Sequence, residues 1–353
     1  MNKKINIGYL TYIEHSAVNY YRCLGPLKEI HRCCDDINVV EMPTVSWTSL
    51  VGLDAVFFMK PYIKDHVHEG KRACHLDAIK IIKANRKPLI LEYDDLLCEV
   101  PEESKFHRVW INEPYKENFL EFINYADGLI LSTQYMADYL IDNKLLEHKN
   151  YKVVNNAINN YLLGFDYSFS EYNKTVLWRG TSTHFPDFEP YIEQLISIMK
   201  DNLDFTFIFM GICPDKRIKA LSNTRVIDPK DIVNYHNFIK TLRPSIMYVP
   251  LLDTPFNRAK SNCSKLEATY AGAITLSPDF PEFNWKDNTG LSHFDTKDFA
   301  EHLDNAIDLV RKKDEIIKSL FNWNYNHVKD HYLLRDRNIE RANYIKSVVK
   351  FGG

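Results

Sequence analysis

Short, wholly apolar runs recur along this chain, and a segment with helical spacing follows nearly every one. Asp54 to Met59 (DAVFFM), Pro88 to Tyr93 (PLILEY) and Gly128 to Ser132 (GLILS) are examples from the first half. Phe205 to Met210 (FTFIFM), Ser245 to Leu251 and Ala273 to Ser277 (AITLS) repeat the pattern in the second. A strand without polar alternation is buried on both faces, as in a parallel sheet covered by helices. The helical segments read as Glu69 to Asn85, Pro114 to Tyr125, Thr133 to Asn143, Phe185 to Lys200, Ile232 to Leu242 and about Lys297 to Lys312. A further helix, from about Asn19 to Arg32, is interrupted by Pro26 and lies between strands at Lys4 to Leu10 and Ile37 to Glu41. Alternation of this kind predicts an α/β fold with parallel sheets.

The alternation stops once. Asn155 to Asn173 is polar and rich in Asn and Tyr, with no clear period, and reads as a linker; the pattern then restarts at Thr175. A chain of 353 residues exceeds one ordinary core and fits two. The expected division is 1–160 for a first Rossmann-like domain, 174–320 for a second, and 321–353 for a helical tail packing back on the first. Two such sheets facing each other make a cleft beyond the carboxyl ends of their strands, where α/β sheets bind ligands.

Bulk properties remove several classes. Net charge is -3, which gives no global pull toward nucleic acid or acidic membranes. The seven cysteines are scattered without CxxC spacing, against a disulfide frame or a zinc site. No apolar run approaches the ~18 residues of a membrane span, and the early run IGYLTYI lacks a signal-peptide cleavage site. These features lead us to expect a soluble, cytoplasmic protein, in the host cytoplasm if the chain is viral. The Lys-, Asn- and Ile-rich composition suits an AT-rich genome, such as that of a bacteriophage. The histidines cluster only at Asp65 to Glu69 (DHVHE), which reads as a solvated loop; Asp94-Asp95 is adjacent rather than DxD, so no metal is expected.

One stretch carries chemistry. Val249 to Pro278 reads as a strand end, a polar loop, a helix from about Cys263 to Ala271, a stop at Gly272 and a second strand. Loop and helix start hold Arg258, Lys260, Ser261, Asn262 and Ser264, with Lys265 and Glu267 in the first turns. A helix N-terminus at a strand end offers free N–H groups to a phosphate. Glu267 is an acceptor-only group that suits two ribose hydroxyls. A plain N-cap and a glutamate complementing the helix dipole would leave the same trace.

Four places resemble one family, the GT-B nucleotide-sugar glycosyltransferases, particularly glycosyltransferase family 4. They are LSTQYMADYL (131–140), VVNNAIN (153–159), LWRGTSTHFPDF (177–188) and the segment from Lys265 to Ser277, which is similar to a donor-site K-x-x-E-A pattern. The resemblance implies two Rossmann-like α/β domains across a cleft and a nucleoside-diphosphate sugar as co-substrate, with no further cofactor. It implies that Arg179 and Lys265 flank the diphosphate, with backbone N–H groups near Ser261, Asn262 and Ser264 and the Gly180 turn completing the cradle. Glu267 would hold the ribose and His184 the donor sugar. Asp94 and Asp95 end a central strand, where catalytic carboxylates often sit, and Tyr21 and Arg22 would face the acceptor. The family's paired glutamates lie eight positions apart, and eight before Glu267 stands Ala259. The glycine pair of the first βα loop is reduced to Gly8.

The expected activity is therefore transfer of a sugar, from a UDP-sugar by preference, with retention and without metal. The acceptor reads as a surface glycan or as a hydroxymethylated pyrimidine in viral DNA, which would make the protein a DNA-modification enzyme. For the DNA acceptor, Lys71, Arg72, Lys80, Lys83, Arg86 and Lys87 would meet phosphates, and Tyr9, Tyr12, Tyr20, Tyr21 and Tyr93 would line a base pocket. A sugar-nucleotide epimerase and a non-enzymatic nucleotide-binding protein are the rival readings.

Overall fold

The computed structural model describes residues 4–11, 16–64, 66–68, 71–102, 115–163, 173–181, 184–286, 291–295 and 298–351. Tyr12, Glu69, Pro114 and Lys297 lie outside them. The first domain carries strands β1 (Ile5–Leu10), β2 (Ile37–Glu41), β3 (Ala55–Met59), β4 (His66–His68), β5 (Lys71–Ala73), β6 (Leu89–Tyr93), β7 (Gly128–Leu131) and β8 (Tyr151–Val153). The second carries β9 (Thr175–Arg179), β10 (Thr206–Met210), β11 (Thr224–Ile227), β12 (Ile246–Tyr248), β13 (Ile274–Pro278) and β14 (His293–Phe294). Each domain is built on a six-stranded sheet, ordered β2-β1-β3-β6-β7-β8 and β11-β10-β9-β12-β13-β14, and every pairing in these two sheets is parallel, while β4 and β5 pair apart from them.

The apolar runs are buried on both faces, as their composition demands. On β3, Phe57 packs with Ile7, Ile90 and Ile130 on one side of the sheet, while Val56 and Phe58 pack with Leu89 and Leu91 on the other. The second sheet is sandwiched likewise: Val176 and Phe207 face one layer, Leu177 and Ile208 the other.

Prolines explain most departures from the expected elements. The first helix is capped by Ser16, runs Ala17–Asn19, opens into a π-turn at Tyr20–Leu24, then closes through Gly25–Glu29. Pro26 has no N–H to donate to the carbonyl four residues back and crowds it, and the wider turn relieves this. Gly25 is required there, since a Cβ would sit 2.1 Å from the Tyr20 carbonyl oxygen. The expected helix from Phe185 to Lys200 is broken by Pro186 and Pro190 into Phe185–Phe188, a turn at Glu189–Tyr191 and Ile192–Asp201. The helix expected from Glu69 begins at His75; Lys71 and Arg72 lie on β5, in an antiparallel hairpin with β4.

The chain crosses between the domains twice. Ile158 follows β8, and its N–H donates to the Tyr332 carbonyl while Leu334 N–H donates to the Ile158 carbonyl, so the two crossings are hydrogen-bonded together. The helix Glu315–His331 packs on the second domain through Ile317, Leu320 and Phe321. The helix Leu334–Phe351 packs on the first through Ala342, Ile345 and Val348. The domain change in the tail thus falls at Tyr332–Leu334. Among the described residues no helix is long and apolar enough to cross a membrane.

Candidate active site

A cleft of about 270 Å³ lies where the strand ends of the two sheets meet. Tyr21, Arg22, Asp94 and Asp95 line it from the first domain, and Arg179, His184, Lys260, Ser261, Ser264 and Glu267 from the second.

Glu267 is the centre of the second-domain side. It sits in the helix Cys263–Ala271, whose first turn opens on the cleft. Its side chain is 2% exposed, yet one of its oxygens, Oε2, accepts from Arg179 Nε at 2.8 Å and Nη2 at 2.6 Å, and from the Tyr235 hydroxyl at 2.6 Å. The other, Oε1, accepts from the Tyr21 hydroxyl at 3.0 Å. Burial pushes the Tyr21 and Tyr235 hydroxyls well above their ordinary value, and Glu267 raises both further, so both remain donors. Burial acts against the charge of Arg179, and the Glu267 carboxylate together with Tyr235, Cys263 and Tyr21 outweighs it, so the guanidinium stays charged. Because Tyr21 belongs to the first domain, Glu267 also ties the two halves of the cleft together.

The loop before this helix is organised from the first domain as well. Asn156 Nδ2 donates to Ser261 Oγ at 2.5 Å, while Asn156 Oδ1 accepts from Arg22 Nη1 at 2.9 Å. The helix Cys263–Ala271 leaves its first N–H groups without intrahelical acceptors, and these lie at the cleft edge. The nearby Cys263 thiol is pushed up to about 12 by burial and by Glu267, which makes it inert.

On the first-domain side Asp94 and Asp95 follow β6. Lys60, in a left-handed backbone conformation (φ 47°) just after β3, reaches Asp94 at 2.8 Å and also pairs with Asp95. Lys260, from the second domain, meets Asp95 at 3.3 Å. Burial alone would raise Asp95; Lys260 and Lys60 outweigh it and hold the carboxyl below the usual range. Asp94 is pushed up by burial and by Asp95, against the pull of Lys60. Behind the cleft, Arg22 pairs with Glu92, which Arg341 also approaches at 3.5 Å. Arg22 is thus no surface side chain: it is 1% exposed and lines the cleft from beneath.

Several expected residues lie elsewhere. Lys265 does not face the cleft: its Nζ donates to the Phe283 carbonyl at 2.7 Å and lies 4.3 Å from the Trp285 ring centroid. The cause is helical geometry, since residues two apart on a helix point about 200° apart and Lys265 cannot share the face of Glu267. Lys260 occupies the position expected of it. Gly180 is absent from the cleft lining and serves packing, because a Cβ there would meet the Trp178 ring at 2.5 Å. Asn262 is buried at the helix start, outside the lining. His184 lines the cleft and pairs through Nδ1 with Asp187 Oδ2 at 2.8 Å.

The proposed base pocket and basic face also change. Tyr9 and Tyr93 are core residues, the latter donating to the Pro61 carbonyl at 2.5 Å, and of the expected tyrosines described only Tyr21 lines the cleft. Lys83 is paired with Asp127 at 2.7 Å and Lys87 donates to the Leu53 carbonyl at 2.6 Å, which leaves Lys80 and Arg86 as the exposed cations of that helix region. Among the described residues no group of three or more His, Cys, Asp or Glu is placed to hold a metal ion. Lys60 and Tyr235 are cleft-organising residues that sequence reasoning left out, while Lys260 and Asn156 stood in the stretches singled out but were given no role of their own. No motif marks Tyr235, and Lys60 follows a strand with nothing but position to single it out.

No protein-family model and no curated protein matches the sequence. Solved structures do match over nearly the whole chain. A glycosyltransferase from Rickettsia africae superposes with a TM-score of 0.66 at 10% identity, covering 99% of this chain and 100% of that one. HepE from Anabaena, solved in complex with UDP and glucose, gives 0.67 at 12%, covering 97% and 100%. A putative UDP-N-acetylglucosamine 2-epimerase from Listeria monocytogenes gives 0.59 at 13%, covering 98% and 96%. With its two six-stranded parallel sheets meeting at a cleft, the chain has the GT-B fold of nucleotide-sugar glycosyltransferases.

Proposed function

We propose that this chain is a glycosyltransferase that takes a nucleoside-diphosphate sugar, a UDP-sugar by preference, and transfers its sugar to a hydroxyl acceptor. The observation that carries the reading is the cluster of Arg179, Glu267 and an open helix N-terminus at one edge of the interdomain cleft. The diphosphate lies against the first turn, at Ser261 to Ser264, with Arg179 and Lys260 as its cations. A carboxylate has about four lone-pair sites, and among the described residues Oε1 of Glu267 carries only the Tyr21 hydroxyl. One ribose hydroxyl is therefore accommodated without breaking an existing contact. As the bond to the anomeric carbon breaks, charge grows on the diphosphate, where fixed cations and dipoles meet it; removing one such donor typically costs ~3 kcal/mol.

Asp95 acts in this reading as a charged strut between Lys60 and Lys260 and not as the proton acceptor, since the two ammonium groups hold its carboxyl below the usual range and so make it a weak base. The reaction proceeds with retention, as the family resemblance implies, and activity persists in excess EDTA. Loss in EDTA with recovery on adding manganese would contradict that. A second reading, sugar-nucleotide epimerisation, is favoured by the epimerase among the matching structures. The two separate in one assay: with UDP-N-acetylglucosamine and no acceptor, an epimerase makes a new UDP-sugar, whereas a transferase waits for a hydroxyl compound.

A further inference from the structure

A second cavity, of about 630 Å³, opens beside the donor cleft and meets it at a neck bounded by Val18, Asp95, His184 and Lys260. Both domains build it. Tyr62, Leu97 and Val100 form one wall and are also part of the first domain's core, so that wall is rigid. Pro186, Leu252 and Phe256 form the other, from the second domain. The volume falls in the ~300–1,000 Å³ range of small-molecule sites, and such sites combine apolar walls with a few polar groups at one end.

The charges at this cavity are already matched. Among the described lining residues no arginine occurs, and both lysines, Lys60 and Lys260, pair with Asp94 or Asp95. Glu189 and Asp187 add negative charge, with His184 on the latter. Lys260 stands at the neck and is taken by the donor diphosphate in this reading, so a polyanion in the body of the cavity finds no further cation among the described lining residues but Lys60, which two carboxylates already hold, and nucleic-acid binding rests on such cations. Thr254 and Asn257 add polar groups on the second-domain side, but the faces made by Leu97, Val100, Pro186, Leu252 and Phe256 offer none. An oligosaccharide, which carries hydroxyls on every face, would leave those that meet these faces without partners, at a cost per group of about 1–3 kcal/mol.

We propose that this cavity is the acceptor subsite and that its ligand is a small, uncharged alcohol or phenol built on an aromatic or alicyclic ring. The assignment rests on the nucleotide-sugar reading of the adjoining cleft. The ring lies between Val100, Leu252 and Phe256, and the hydroxyl reaches the neck. In the transfer, the acceptor oxygen forms a bond to the anomeric carbon, and the bond from that carbon to the diphosphate oxygen breaks with its electron pair on the diphosphate. The hydroxyl proton passes to the departing diphosphate oxygen.

The test is ligand-observed NMR on the full chain, with and without saturating UDP, using 4-methylumbelliferone and 1-adamantanemethanol as probes. Methyl β-glucoside and a duplex containing 5-hydroxymethylcytosine are the comparison ligands. The expected result is saturable binding of at least one ring probe. Leu252→Trp, which fills the cavity, should weaken that binding about tenfold or more, and UDP affinity should change less than about twofold. Phe256→Ala, which removes one wall, gives the same expected loss and carries the test if Leu252→Trp melts early. Failure of both ring probes to bind, equal affinity in both variants, or displacement of the probes by the glucoside or the duplex would overturn the proposal. UDP binding alongside failed ring probes breaks this assignment alone. Ring-probe binding to a chain that ignores UDP breaks the donor reading and leaves the cavity's ligand class standing.

Discussion

Two buried carboxylates sit on opposite sides of the cleft, and each is held by arginine. Glu92, on β6, is fully buried and pairs with Arg22 and Arg341, so that the first helix, the central strand and the last helix of the chain are tied into one unit. Glu267 is nearly as buried, but it lines the cleft and is held by Arg179, Tyr235 and Tyr21. The chemistry of the two pairs is alike; access differs. Glu92 itself is sealed from the cleft, which only its partner Arg22 reaches, and such a pair is a structural device whose breakage leaves charges unpaired, whereas a carboxylate that opens on a ligand cleft can exchange partners. Burial and charge alone therefore do not mark a site; the open face does.

The comparison breaks first at Glu92. Glu92→Ala leaves Arg22 and Arg341 buried without their carboxylate and should cost ~3–5 kcal/mol in urea unfolding, with UDP affinity of the folded fraction unchanged. An equal effect on UDP affinity would mean that Glu92 is part of the site. Next comes Arg179→Ala, which should lower kcat about 10²–10³-fold, or ~3–4 kcal/mol in the barrier. Lys260→Ala should fall in the same direction, while Lys265→Ala should act on stability and leave kcat of the folded enzyme intact.

A smaller effect concerns the seam between the domains. Glu282 is 8% exposed, and its oxygens accept from the Gln134 N–H at 3.2 Å and Asn155 Nδ2 at 3.1 Å. Burial pushes its carboxyl from 4.5 up to about 7, with only the Gln134 N–H opposing. A folded-state value above the unfolded one means that the folded chain binds the proton more tightly. The contribution is fully present below pH 4.5 and is lost as pH rises through about 7, a span worth roughly 3 kcal/mol. Glu282→Gln should flatten that slope in unfolding curves between those two values. The smallest expected change is Tyr235→Phe, which removes one hydrogen bond to Glu267 and should weaken UDP binding about fivefold, near 1 kcal/mol.

The architecture was legible because buried parallel strands write themselves as apolar runs, from DAVFFM at β3 to AITLS at β13. The β4–β5 hairpin was not, since HVH and KRA carry no apolar period and lie beside residues that suit a helix start. Arg179 and Glu267, picked out from the strand end and the helix start, both line the cleft. Lys265 was misplaced although the sequence held the correction: its spacing of two from Glu267 forbids a shared helix face. Tyr21, Asn156 and Lys260 come together only through the interdomain geometry, which no local pattern encodes. The π-turn follows from Pro26 and Gly25, but the direction in which it aims Tyr21 depends on packing against the second domain.

The central claim is that the Arg179–Glu267 pair forms the nucleotide end of a donor site, and isothermal titration of UDP into the wild-type chain and Glu267→Gln tests it most directly. The account predicts saturable one-site binding to the wild type. In the variant that binding should weaken about tenfold or more, ~1.4 kcal/mol or above, with the fold intact by circular dichroism. Absence of binding by UDP and by every other nucleoside diphosphate, or identical affinity in the folded variant, would contradict it.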